Sequence, residues 1–172
     1  PLLIDLKQLA DQGYLGPADL ADTPDFPQSH VDFGGVIPWK KQLLLNAYNN
    51  FSNVASTEAR NEFDEFCRQH DDRWLEDYAL FMAIKGNFGE QAWPTWPKEY
   101  RQRDSKAIAD IRLELIKTIN AYKFQQHMFF KQWLMLKAYA NDRGVRIMGD
   151  IPIYVTHDSA DVWSNQELFL LD

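Results

Sequence analysis

The stretch ANDRGVRIMGDIPIYVTHDSADVW, residues 140–163, decides how the rest of the chain is read. ANDRG ends a long helical pattern, because Gly144 is free to take the left-handed conformation just past a last turn. VRIM follows at once, with the β-branched Val145 and Ile147 of a short buried strand. A long helix, a tight stop and a buried strand form one αβ step of a parallel sheet or barrel, so the expected fold class is α/β. Asp150 then falls at a strand end, where parallel α/β folds gather their functional groups. There it can orient a substrate hydroxyl, assist a base or anchor an arginine; the structural alternative is a loop cap made to backbone N–H groups. IPIYV bends away from the strand, since Pro152 cannot donate to a central ladder. Asp158 or Ser159 before ADVW reads as a helix start, with ligand contact as the competing role for Asp158.

Working back toward the N-terminus, most of the chain has helical periodicity. Leu6, Leu9 and Ala10 share one face of a helix that Gly13 stops, and Pro17, Pro24 and Pro27 punctuate a turn-rich passage. The pattern pauses at Gly34 and Gly35 and restarts with Pro38 in a first turn, so that Leu43, Leu44, Ala47 and Phe51 line the inner face. Two separate helices are expected over residues 58–69 and 73–87. Helical periodicity over 105–143, capped by Asp104 or Ser105, is too long for one unbroken helix, and a break is expected near residues 120–124.

Composition bounds the function. The 172 residues suffice for one domain with a real core. A net charge of -7 argues against a general nucleic-acid or anionic-membrane surface, and no stretch has the length of a membrane span. One cysteine, Cys67, permits no internal disulfide and fits a reducing, cytoplasmic setting. The four histidines, His30, His70, His127 and His157, lack metal-site spacing, and the chain has no dinucleotide, P-loop or serine-hydrolase motif; no metal or cofactor is expected. Trp93 and Trp96 in WPTWP suit either a sugar platform or a stiffened loop tucked into a core, the second being favoured. Glu76 and Asp77, adjacent on a helix, diverge too far for an acid/base pair and read as solvated or capping charges. The chain starts PLLIDL without methionine and stops soon after the apolar run ELFLL, which suggests a piece of something longer. The residues alone therefore supply no complete catalytic set.

Read together, PLLIDL (1–6), VDFGGVIPWK (31–40), WLEDYALFMAIK (74–85), FFKQWLMLKAYANDRGVRIMGDIPIYV (129–155) and DSADVW (158–163) resemble the 4-α-glucanotransferases, the amylomaltase or disproportionating-enzyme family of the α-amylase clan. The resemblance implies a (β/α)8 TIM barrel enlarged by helical insertions. Residues 1–104 would form a helical inserted subdomain and residues 105–172 part of the barrel. A complete barrel needs about 250 residues, so this chain would be a mainly helical fragment of one. The implied reaction cuts an α-1,4-glucan such as maltodextrin or starch and passes the piece to a sugar acceptor with retention. It uses two carboxylates on opposite sides of the glycosidic bond, with a third holding the distorted sugar. In the family these lie on later strands, so they are expected beyond Asp172 and none within this chain.

Asp150 matches the aspartate of the clan's first strand-end motif, and its implied role is to support the active site by bonding an arginine near the nucleophile. A sugar-binding histidine often follows that aspartate by five residues, where this chain has Val155. The family often reads VDYG where this chain has VDFG, which makes Phe33 a candidate remote glucan contact with a stacking face and no hydroxyl. Asp158 and Trp163 are further candidate substrate contacts. A non-catalytic helical module that binds sugar or protein is the competing function. Any oligomer would follow from barrel edges left exposed by truncation.

Overall fold

The computed structural model describes residues 1–171, and Asp172, the last residue of the expected barrel portion, lies outside them. The described residues are helical and include no β-strand. In chain order the α-helices are α1 (Leu6–Asp11), α2 (Pro17–Ala21), α3 (Phe33–Val54), α4 (Thr57–His70), α5 (Glu76–Asn87), α6 (Lys98–Arg101), α7 (Ser105–Glu114), α8 (Ile116–Asn141) and α9 (Ala160–Ser164). A π-helical turn, Asp71–Leu75, lies between α4 and α5. Contacts group the described residues into two compact units, residues 1–64 with 124–145 and residues 65–123 with 146–171.

In the first unit α3 supplies the central apolar face. Leu43, Leu44, Ala47 and Phe51, the four positions expected from spacing, are all buried. Leu44, Ala47 and Phe51 pack with Ile4, Leu9, Tyr14, Leu15, Phe124 and Met128. Phe51 and Phe124 lie 4.9 Å apart between ring centroids, and Tyr14 meets both edge-on. The start of α3 corrects the sequence reading: the helix begins at Phe33 and runs through Gly34, Gly35 and Pro38. Asp32 caps it by accepting from the Gly35 N–H at 3.2 Å. That cap needs a glycine, because a Cβ on Gly35 would lie 3.0 Å from Asp32 Oδ2 and 3.3 Å from the Phe26 ring. Pro38 cannot donate to the Gly34 carbonyl, and burial of the following turns offsets the missing bond.

His127 on α8 is buried in the same unit, at 7% exposure, with its ring 5.7 Å from that of Phe63. Burial, helped by the Lys131 charge and opposed by Glu62, pulls its imidazole down to about 4 from the usual 6.5. Above pH 6.5 it is neutral in both folded and unfolded states, and its packing contributes in full. As pH falls toward 4, the unfolded chain binds a proton that the folded one refuses, so stability drops. The loss between pH 7 and pH 5 should reach about 2 kcal/mol from this residue. Urea unfolding at the two pH values checks it: His127→Gln should flatten the dependence, and an unchanged slope would assign the acid sensitivity elsewhere.

In the second unit Ala79, Leu80, Phe81, Ala83 and Ile84 of α5 pack with Trp93, Trp96, Ile111, Ile119, Val162 and Trp163. The two helices expected over 58–69 and 73–87 prove to be joined by the π-turn rather than separated. Residues 70–72 are polar but include no glycine or proline, so nothing forces the helical path to stop. The break in the long region also moves. It falls at Leu115, with φ -97° and ψ 12°, and α8 runs unbroken through residues 120–124. Leu115 packs partly buried against the core of this unit, so tertiary packing rather than a local breaker sets the position.

Gly144 ends α8 as expected, with φ +73° and a bond from Val145 N–H to Ala140 O at 3.0 Å. The expected strand after it is absent. Residues 145–150 carry no regular structure, and Met148, Ile151, Ile153 and Tyr154 are each more than 80% exposed. A parallel strand is stable only when neighbouring strands take its N–H and C=O groups. With no strand among the described residues to pair with, an apolar β-branched run stays irregular and uncovered.

Candidate functional site

Asp150 sits in that irregular segment. Its Oδ1 accepts the Ile151 N–H at 2.8 Å, the local capping bond that was the structural alternative for this residue. No arginine or lysine among the described residues pairs with it.

Downstream of Asp150 the chain is firmly held. The Ser159 side chain caps α9 by accepting from Val162 N–H at 3.3 Å. Asp158 is therefore free of the cap and binds elsewhere. One of its carboxylate oxygens pairs with the Lys85 ammonium, and the other accepts the Trp93 N–H at 3.2 Å. The Trp93 indole N–H donates to the His157 carbonyl at 2.7 Å, and the two rings meet edge-on at 5.4 Å. Both oxygens of Asp158 thus already accept a bond from the protein.

Trp163 lies inside the core of the second unit. Its exposure is 0%, its indole N–H donates to Tyr100 O at 2.9 Å, and the Arg103 guanidinium covers its ring at 4.2 Å. Phe81 and Trp96 lie at 5.8 and 5.9 Å. No ring face remains for a sugar. Trp93 and Trp96 are buried as well, the packed-loop arrangement favoured for WPTWP; Trp96 fixes its indole N–H on Gln91 O at 3.0 Å.

Glu76 and Asp77 diverge as helix geometry requires, and each is ion-paired, Asp77 with 43% of its side chain still exposed. Glu76 meets Arg112 at 3.1 Å and Lys123 at 2.5 Å, and Asp77 meets Arg103 at 2.6 Å. Lys123, only 8% exposed in its side chain, also lies 2.8 Å from Asp71 in the π-turn. Burial pulls the Lys123 pKa down, but the hydrogen bonds it donates to the Asp71 and Glu76 carboxylates, with their charges, outweigh it and hold the value above normal. The ammonium stays charged through the neutral range. Asp71 and Glu76 both pair with Lys123, and Glu76 with Arg112 as well, so they serve as structural counter-ions rather than a free acid/base pair.

Phe33, the first residue of α3, is 60% exposed. Nearby in sequence, Phe26 and Trp39 form an edge-to-face pair at 5.2 Å. Sequence reasoning missed a groove of about 480 Å³ in the first unit, lined by Leu3, Asp5, Gln8, Phe129, Gln132, Trp133 and Leu136. Its wall is braced by Gln132, whose amide accepts from Asp5 N–H at 2.7 Å and donates to Asp5 O at 3.1 Å. The legible signal was the spacing of Phe129, Trp133 and Leu136 on one helical face. Among the described residues no three His, Cys, Asp or Glu side chains gather as a metal site, and no helix is long and apolar enough to cross a membrane.

Comparison with known proteins adds what the partial site cannot. A family described as 4-alpha-glucanotransferase (Glyco_hydro_77) matches residues 1–172. The 4-alpha-glucanotransferase of Thermus thermophilus is 45% identical over 100% of this chain, which covers 33% of that protein. That of Synechocystis is 42% identical over 100% of this chain and 34% of its own length. The solved amylomaltase from Streptococcus agalactiae in complex with acarbose superimposes with a TM-score of 0.90 at 37% identity, covering 99% of this chain and 34% of the other. The chain spans about a third of the length of these relatives, aligned from its first residues to its last. With the motif order of residues 1–163 and a backbone that follows a solved amylomaltase throughout, the chain belongs to the 4-alpha-glucanotransferase family.

Proposed function

We propose that this chain is the part of a 4-α-glucanotransferase that frames the active site, and that the whole enzyme transfers segments of α-1,4-glucan to another sugar by retaining double displacement. The observation that carries the reading is the family match over residues 1–172. The likeness to an amylomaltase solved with acarbose supports a glucan as the ligand. In this reading the whole enzyme is a (β/α)8 barrel, with residues 1–104 an inserted helical subdomain and 105–172 a part of the barrel wall. The nucleophile and the acid/base, which must flank the scissile bond about 5 Å apart, belong to the two-thirds of the relatives that this chain does not span. Asp150 supports them from a strand end, once neighbouring strands give its segment a ladder to join. The single cysteine and acidic composition favour a cytoplasmic enzyme.

The test is incubation of the full-length enzyme with maltotriose. Transfer yields glucose and longer maltodextrins with no rise in total reducing ends. A steady rise in reducing ends would mean hydrolysis, and no conversion would favour the non-catalytic module.

Phe33 is the remote glucan contact in this account, since an exposed ring at a helix start offers a stacking face. Phe33→Ala should weaken binding of long maltodextrins by roughly fivefold, as the loss of about 1 kcal/mol of stacking implies, while turnover of maltotriose stays unchanged. Isothermal titration with a long maltodextrin checks it, and unchanged affinity would remove Phe33 from any sugar site.

A further inference from the structure

We propose that Lys85, Trp93 and Asp158 form a clamp that positions the Asp150 segment during glucan transfer, an inference that rests on the functional reading above. Residues 146–156 make one hydrogen bond among the described residues, and it is internal to the segment, from Ile151 N–H to Asp150. The first residues past Asp150 that the rest of the fold holds are His157 and Asp158. Three bonds converge on those two residues from positions 64 to 73 residues away: Lys85 to Asp158, Trp93 N–H to Asp158, and the Trp93 indole to the His157 carbonyl.

Helix capping does not explain this convergence, because Ser159 already caps α9. Stability alone is a weak reason too: a partly buried ion pair gains little net energy over an apolar pair of the same shape. What it does supply is geometry. The Lys85 side chain is 16% exposed and its ammonium lies 5.7 Å from the Phe81 ring centroid, on a helix packed into the core of the second unit. Asp158 is thereby referred to a rigid frame, and Trp93, itself buried, fixes the direction in which the chain leaves it. Small displacements of a positioning group, about 1 Å, can lower turnover a hundredfold. The clamp thus sets where the segment carrying Asp150 starts its return into the fold.

The experiment uses the full-length enzyme on maltotriose. Lys85→Met should lower kcat at least tenfold with KM within about twofold, and Lys85→Arg should restore most of the rate. Pairing Lys85→Met with Asp158→Asn removes the orphaned charge, so thermal stability should recover while kcat stays low. Added to Asp150→Ala, Lys85→Met should cause no further loss, since both act through one group. If Lys85→Met alone does not fold, the paired variant carries each comparison. Recovery of kcat together with stability, or losses from Lys85→Met and Asp150→Ala that multiply, overturns the clamp while leaving transfer intact. A wild-type enzyme that does not transfer overturns both readings at once.

Discussion

Replacing Trp163 by alanine is expected to cost about 4 kcal/mol of stability, the range for deleting a fully buried tryptophan. Three losses add up at this position. The ring leaves a cavity among Phe81, Trp96 and Val162 of a tightly packed core. The Arg103 guanidinium, stacked at 4.2 Å, loses the face that covers it, although its bond to Asp77 remains. The Tyr100 carbonyl loses its indole donor. Trp163→Phe separates these terms: it keeps most of the packing and should cost about 1–2 kcal/mol for the missing hydrogen bond and the smaller ring. Urea unfolding of both variants checks the order. A mild effect of the alanine variant, with a matching loss of glucan affinity, would instead return Trp163 to the role of a sugar contact.

The second large effect is expected at Lys123. Its ammonium holds Asp71 and Glu76 together, and Lys123→Met removes the cation they share, leaving Glu76 with Arg112 and Asp71 without the lysine. Breaking a buried ion cluster by removing one partner typically costs about 3–5 kcal/mol; Asp71 and Glu76 retain 31% and 26% side-chain exposure, which lowers the expectation to about 2–3 kcal/mol. The sign with pH follows from the raised lysine pKa. The contribution is present in full below the ordinary lysine value of 10.5 and is lost only as pH rises through the higher folded value. Thermal unfolding at pH 7 should therefore show the Met variant clearly destabilised. Asp71→Asn added to Lys123→Met should recover part of the loss, because it removes the carboxylate that loses its lysine while Glu76 keeps Arg112. A midpoint within about one degree of wild type would mean that solvent already screens the cluster.

These two sites illustrate what a sequence can and cannot disclose. Periodicity reads α3 well, because Leu43, Leu44, Ala47 and Phe51 respond to a helical repeat that is local. Local chemistry also announces the stop at Gly144 and the cap at Asp104, which accepts from the N–H groups of Lys106 and Ala107. Lys123 is silent in the sequence because its partners are 52 and 47 residues away and differ in element. The π-turn and the break at Leu115 leave no glycine or proline as a mark. The missing strand has the opposite cause. Val145 and Ile147 do have strand character, but a strand is a property of a sheet, and the ladder partners are not among the described residues.

The candidate site divides in the same way. Asp150 is picked out in the sequence by its place after a helix, a glycine stop and an apolar run, and in the structure it accepts the N–H of its neighbour Ile151. Asp158 and Trp163 lie in a motif that looks functional, yet the fold spends them on holding Lys85, Trp93, Tyr100 and Arg103 in place. A conspicuous tryptophan or aspartate beside a functional motif is as often its scaffold as its chemistry.

Whether the catalytic carboxylates lie outside this chain is tested most directly by incubating residues 1–172 alone with maltotriose, beside the full-length enzyme under the same conditions, and separating the products by chromatography. Glucose and longer maltodextrins are expected from the full-length enzyme, and unchanged maltotriose from residues 1–172. Glucose and longer products from residues 1–172 alone would contradict that placement, and the strand-end Asp150 would become the first carboxylate to test.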